Sequence, residues 1–404
     1  MKRWTRRNVF SASALLPISQ SLIARENYAP SAGISGNACA AKTPKPFVHV
    51  TDLFRPHDDP DDHWDLATGY SLAQRGELDL AGILTDNPEN VEEIPELIHT
   101  WDRSNGGIHV ARSPDVAAVA QLNYLTDRAV PVATGPVWSG NPGEKVHVGN
   151  PPKELRGVNM LLDVLKKSPR PVAILSGGSC QNVAIAGMKE PRLFAEKCAA
   201  IYLNAGSGSK NQEEQSDKGN VEWNVRLNRG AYAAMFELPC PIYWMPCFHG
   251  FSPGGAVTGE YGTAWRFRQG DLLPYLSNNL QAFFAYVLDK ESGTNWLSYL
   301  LSPVSKDAVT KYFENTRCMF STAGFLHAAG KTVTSDGAIV PLESTPRNAV
   351  YEFISIDVRC SETGITQWQE TKEQTGRYIF RVRDQVKYPE AMTKALKSVL
   401  LNLP

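Results

Sequence analysis

From about residue 45 the chain alternates two kinds of segment. The first is short and apolar throughout: FVHVT (residues 47–51), LDLAGIL (78–84), GIHVA (107–111), PVAILS (171–176), CAAIYLNA (198–205) and CPIYWMP (240–246). The second carries apolar positions at helical spacing: WDLATGYSLAQ (64–74), VEEIPELIHTWDRS (91–104), QNVAIAGMKE (181–190) and RGAYAAMFE (229–237). A strand with no polar side needs cover on both faces. The alternation therefore predicts an α/β fold with a mainly parallel central sheet and helices on both faces. After residue 350 the pattern changes. YEFISIDVRC (351–360) and GRYIFRVRD (376–384) alternate apolar and polar residues, which suits a small antiparallel section. PEAMTKALKSVLLNL (389–403) closes the chain as an amphipathic helix.

In open α/β sheets, ligands bind outside the carboxyl ends of the strands. Three polar stretches follow such ends: TDLFRPHDDPDDHWDLA (51–67), SGGSCQN (176–182) and NAGSGSK (204–210). They predict one polar rim. The insert at 206–219 reads as a mobile loop. Dinucleotide and P-loop chemistry are disfavoured, because no strand leads into G-x-G-x-x-G and GSGSK lacks the P-loop spacing. The chain has no H-E-x-x-H, and GGS at 177–179 lacks the flanking glycines of a nucleophile elbow.

A formal net charge of −1 gives no reason to expect nucleic acid or an anionic membrane as partner. The first forty residues differ from the rest. Lys2, Arg3, Arg6 and Arg7 precede a weakly apolar Ser/Ala-rich stretch, and the Thr5–Phe10 segment is similar to a twin-arginine export signal. The expected organisation is an export signal and linker over residues 1–40, followed by a single domain over 41–404. The protein is then exported, to the periplasm or beyond. Seven scattered cysteines include no C-x-x-C pair, which argues against a zinc site and against a small disulfide scaffold.

The acidic stretch at 51–67 holds Asp52, Asp58, Asp59, Asp61, Asp62 and Asp65 with only Arg55 as cation. Three readings fit: a solvated acidic turn, a hard-cation site built from carboxylate oxygens, or carboxylates that activate water and stabilise an oxocarbenium-like transition state. The last two are compatible. An EF-hand is excluded, because DDPDDHWD lacks the central glycine and closing glutamate.

Four motifs in order resemble those of the inosine–uridine-preferring nucleoside hydrolases. These are the strand, TD and DPDDHWDLA, with ENV after the next strand; ILSGGSCQNVAIA; GNVEWNVRLNRGAYAAMFELPCPIYWMP; and FLHAAG at 325–330. The similarity runs over most of 45–402, each motif in degenerate form. It implies a calcium-dependent hydrolase of N-ribosidic bonds, with a small-molecule nucleoside or sugar as partner and a homo-oligomer as an open option. Carried over by position, Asp52 is general base and calcium ligand, Asp62 a calcium ligand, and Gln181 a calcium ligand through its carbonyl. Asp61, Asn90, Asn220, Glu222 and Asn224 hold the sugar, and His327 assists the leaving group. The pattern also departs from the family. Val50 and Ala328 stand where it has aspartates, Asn228 stands for another acid, and three extra residues separate Asp52 from Asp61–Asp62. Asp58 or Asp59 in that inserted turn is the candidate replacement ligand.

Local sequence supplies bland readings as well. Asp61 or Asp62 could cap a helix, and Glu222 and Asn224 flank Trp223 in a short extended stretch that puts both on one side. Trp223 itself reads as core rather than as a stacking platform. His57, His63 and Trp138 are weaker rim candidates. Two further functional readings stay open: an exported riboside- or carbohydrate-binding protein without turnover, suggested by Ala328 and Val50, and a hydrolase of another glycoside, suggested by the loop at 137–150.

Overall fold

A computed structural model describes residues 43–55, 60–87, 113–137, 155–216, 221–252, 255–289, 296–301, 306–344 and 346–404. Residues Lys42–Pro404 form one compact unit. The central sheet has nine strands: β1 (Lys45–Thr51), β2 (Leu78–Asn87), β3 (Val132–Val137), β4 (Val172–Gly177), β5 (Cys198–Asn204), β6 (Ile242–Met245), β7 (Tyr351–Cys360), β8 (Thr366–Glu370) and β9 (Arg377–Val382). Their order across the sheet is β8-β7-β9-β6-β5-β4-β1-β2-β3. Every pair from β3 to β9 is parallel, and only β7 runs antiparallel to its neighbours β9 and β8. The antiparallel C-terminal section therefore extends the main sheet instead of forming a separate one.

The apolar runs become the inner strands because both of their faces are covered. β4 is buried at every position, and β1 at all but Lys45. Phe47, Leu175 and Tyr202 face one core, joined by α1 (Asp61–Gln74) and, from later in the chain, the helices Asn278–Leu288 and Tyr388–Leu400. Val48, Ile174 and Leu203 face the other core, with α2 (Gln181–Lys189) and the helix Arg229–Met235. Helices thus lie on both faces, as the pattern requires. α1 is unusual in being buried from His63 to Ala73. Its anchor is Trp64, whose ring stacks on Phe284 at 3.9 Å and meets Phe267 edge-on at 5.2 Å. No helix among the described residues is long and apolar enough to cross a membrane.

Parallel pairing aligns the carboxyl ends. Thr51 lies beside Thr85, Val50 beside Ser176, Gly177 beside Asn204, and Asn204 beside Met245. The residues just beyond, among them Asp52, Asp86, Gly178 and Cys247, are set in a row along one rim. The candidate strand 107–111 and helix 91–104 lie outside the described residues.

Candidate functional site

Asp52 follows the last residue of β1. Gly178 lets the next loop fold down onto it. Its φ is +95°, and a Cβ there would stand 2.6 Å from Asp86 Oδ2 and 3.0 Å from the Asp52 backbone nitrogen. A side chain would be excluded by both conformation and space. Asp86, on β2, holds the loop from the other side by accepting the Ser179 N–H at 2.6 Å. Sequence reading missed Asp86, although a signal existed: Thr-Asp occurs at the carboxyl end of each of the first two strands, at 51–52 and 85–86.

Asp61 and Asp62 begin α1, behind a Pro60 that supplies no side-chain cap. Neither is the N-cap; both sit in the first turn, where the helix dipole favours negative charge. The Thr51 hydroxyl donates to Asp62 Oδ1. Burial, and after it repulsion from Asp52 and Asp61, holds the Asp62 carboxyl well above the usual carboxylate range.

The opposite wall comes from GNVEWN. Glu222 is the N-cap of a short helix, α3 (Trp223–Leu227). The stretch is therefore not extended, and its two polar residues share a side because one caps the helix and the other lies in its first turn. The Glu222 carboxylate accepts backbone N–H bonds from Gly206 at 2.8 Å, Asn224 at 3.0 Å and Val225 at 3.2 Å. Burial nevertheless moves its carboxyl upward. Asn224 Nδ2 donates to the Asn204 carbonyl at 3.0 Å. Trp223 is half-buried, and its indole Nε1–H donates to Asp52 Oδ2 at 3.0 Å. The expectation of a core tryptophan is corrected: this side chain reaches the rim because Asp52 offers its only N–H a charged acceptor.

These groups enclose a cavity of about 160 Å³. That is room for several waters or a small polar ligand. Asp52, Asp61, Asp62, Glu222, Trp223 and Asn224 line it, together with Phe54, Phe248, Phe320, Ser321 and Cys247. Five residues expected at the site, Asp52, Asp61, Asp62, Glu222 and Asn224, thus meet in one pocket.

Gln181 is not among the lining residues. It starts α2, buried, and its side-chain Nε2 has no hydrogen-bond partner. His327 is also elsewhere. Its Nδ1 lies 2.9 Å from the Tyr202 hydroxyl, inside a ring of Tyr202, Tyr243 and Phe353, and burial followed by nearby Lys45 lowers its pKa to about 4. It lies away from the pocket because it belongs to the last turn of the helix Thr322–Ala328 and not to its start. The residues that precede this helix, Phe320 and Ser321, are the ones that reach the pocket. His63 is likewise a core residue, paired through Nε2 with Asp115 at 3.0 Å. Asp58, Asp59, Asn90, Asn220, His57 and Trp138 lie outside the described residues.

Ser321 carries a further acid. Its hydroxyl donates to Asn204 Oδ1 at 3.0 Å and also meets Asp65, one turn along α1 from Asp62. Asp65 is buried, its Oδ1 has no partner, and burial pushes its carboxyl up to about 8. It stays protonated at neutral pH.

Among the described residues, no Lys, Arg or His lines the pocket. The charged donors among the lining residues are carboxylates, and Asp52 and Asp61 add to burial in raising the pKa of Asp62, a setting that a hard divalent cation relieves. The donor chemistry therefore fits calcium. Among the described residues, no three His, Cys, Asp or Glu side chains converge as a preformed metal cage.

Fold and pocket together define an α/β protein with an acidic, aromatic-walled cavity at the carboxyl ends of its parallel strands. No family model and no curated protein matches the chain. Solved structures similar to it include a plant nucleoside hydrolase (14% identity, 88% of this chain and 99% of that one, TM-score 0.49). Others are an inosine–uridine-preferring nucleoside hydrolase from Bacillus anthracis (14%, 87% and 99%, 0.43) and a purine-preferring ribonucleoside hydrolase from Gardnerella vaginalis (13%, 88% and 99%, 0.44). Likeness at this level assigns neither family nor activity.

Proposed function

We propose that this protein hydrolyses the N-glycosidic bond of a ribonucleoside or related riboside, with Asp52 as general base. The observation that carries the reading is the meeting of Asp52, Asp61 and Asp62 in one pocket, with Trp223 bonded to Asp52. The ordered motifs of the sequence support it.

Asp52 is the acid best placed to accept a proton, because it follows β1 at the cavity wall and the indole N–H bonded to Oδ2 holds its carboxylate there. A water deprotonated there attacks the anomeric carbon on the face opposite the leaving group. Asp61 and Asn224 hold sugar hydroxyls. Glu222 contributes less than its type suggests, since its oxygens already serve three backbone N–H groups. Phe248 and Phe320 form an apolar wall that limits water around the reacting bond. Asp52 and Asp62 would hold the calcium ion, which when bound lowers the pKa of water and keeps both carboxylates ionised. Export by the twin-arginine-like leader belongs to the same proposal.

One observation favours a second reading, a riboside-binding protein without turnover. His327 is not among the lining residues, and among the described residues no His, Lys or Arg lines the pocket to protonate a departing base. Assay of ribonucleosides and p-nitrophenyl riboside with wild type and Asp52→Asn separates the two. Binding by calorimetry with no product from the wild type establishes the binder. Product formation that falls by about 100-fold or more in Asp52→Asn establishes the hydrolase.

A further inference from the structure

At the far end of β5 from the pocket, two cysteines approach each other. Cys198 is the first residue of β5, and Cys240 lies two residues before β6. The two strands are parallel neighbours, with Ile201 opposite Ile242 and the Ile201 N–H donating to the Pro241 carbonyl at 2.8 Å. Counting back along this register brings Cys198 to the level of residues 239–240. Neighbouring strands run about 4.8 Å apart, inside the 4.4–6.8 Å Cα window of a disulfide. Both side chains belong to the same core cluster on the same sheet face. Both cysteines are buried and free in the structure. The Cys240 backbone is fixed besides, its carbonyl accepting from Arg377 Nη1 at 2.9 Å and its N–H donating to Leu238 O at 2.9 Å.

We infer that Cys198 and Cys240 are a latent disulfide pair, closed by exchange with an external disulfide. The thiolate of one cysteine attacks the external disulfide, forming a mixed disulfide and releasing one thiol. The second cysteine attacks the mixed sulfur, closes the intramolecular bond and releases the second thiol. Two protein thiols lose two electrons, the external disulfide gains them, and the two thiol protons end on the released thiols. Closing is slow, because Cys198 and Cys240 are only 5% and 6% exposed. The bond would tie the start of β5 to the segment entering β6. It lies about 20 Å along β5 from Asn204, from six residues at roughly 3.3 Å each, so the pocket is left untouched. Outside the cell, such external disulfides are the prevailing redox partners.

The test incubates the reduced full chain, natively folded, with oxidised glutathione at pH 8. Free thiols are then alkylated in denaturant, and peptides are mapped by mass spectrometry without reduction. The expected result is one cross-linked peptide pair containing Cys198 and Cys240, two fewer alkylated thiols, a higher thermal midpoint, and reversal by dithiothreitol. Cys240→Ser should stop at a glutathione adduct on Cys198, and Cys240→Ala serves if the serine is poorly tolerated in this core. Persistent glutathione adducts on both cysteines, a cross-link between other cysteines, or no cross-link after prolonged incubation would each overturn the inference.

Discussion

Trp223 spends its single N–H on Asp52, and replacing it with phenylalanine keeps the ring while deleting that donor. A hydrogen bond to a charged group is worth about 1.5–3 kcal/mol. Trp223→Phe should therefore lower kcat/KM on a riboside by about 10- to 100-fold with an unchanged circular dichroism spectrum; steady-state kinetics checks it. Glu222 predicts the opposite kind of phenotype. Glu222→Ala removes an N-cap and leaves three backbone N–H groups without their acceptor, so stability should fall by about 2 kcal/mol or more in denaturant unfolding. Asp65 predicts a pH dependence. The folded chain keeps a proton to about pH 8 that the unfolded chain releases near pH 4. Stability from this group should fall as pH rises across that window, by about 1.4 kcal/mol per pH unit at the steepest, and level off above it. Asp65→Asn should flatten the slope, as read from unfolding curves between pH 4 and 9. At this scale the position of a side chain was legible where it sat directly beside a strand end or helix start, as with Asp52 and Asp62, which the structure brings to the pocket. The position of His327, six residues beyond Ser321, was not legible, because a seven-residue helix is too short for its period to show which end faces the pocket.

α1 gives Asp61 and Asp62 their positions, and Trp64 is a fully buried residue in its first turn. Trp64→Ala removes the stack on Phe284 and the edge contact with Phe267. The expected cost is about 3–5 kcal/mol in chemical denaturation, accompanied by weaker riboside binding as the acidic turn loosens. The strands were legible because their apolar runs need two covered faces, and the observed two cores supply them. The short α3 was not legible, since five residues carry less than two turns of helical period. Its start shows only in the structure, where the Glu222 side chain caps it. The Asp86 contact with the Ser179 loop was also hidden, being a tie between strand ends 93 residues apart in sequence.

The whole molecule places its acids where a parallel sheet presents all its carboxyl ends together, so the architecture itself crowds the charge. A cation bound there offsets repulsion that the folded chain otherwise carries, and calcium should raise the thermal midpoint of the wild type more than that of Asp62→Ala. Equal shifts would remove Asp62 from any cation site. The central claim is that Asp52 drives hydrolysis of a ribosidic bond. Its most direct measurement is release of free base from ribonucleosides by wild type and Asp52→Asn, in calcium-containing buffer. The account predicts turnover by the wild type and a loss of about 100-fold or more in the variant. Absence of product from the wild type, or equal rates for the two proteins, would contradict it.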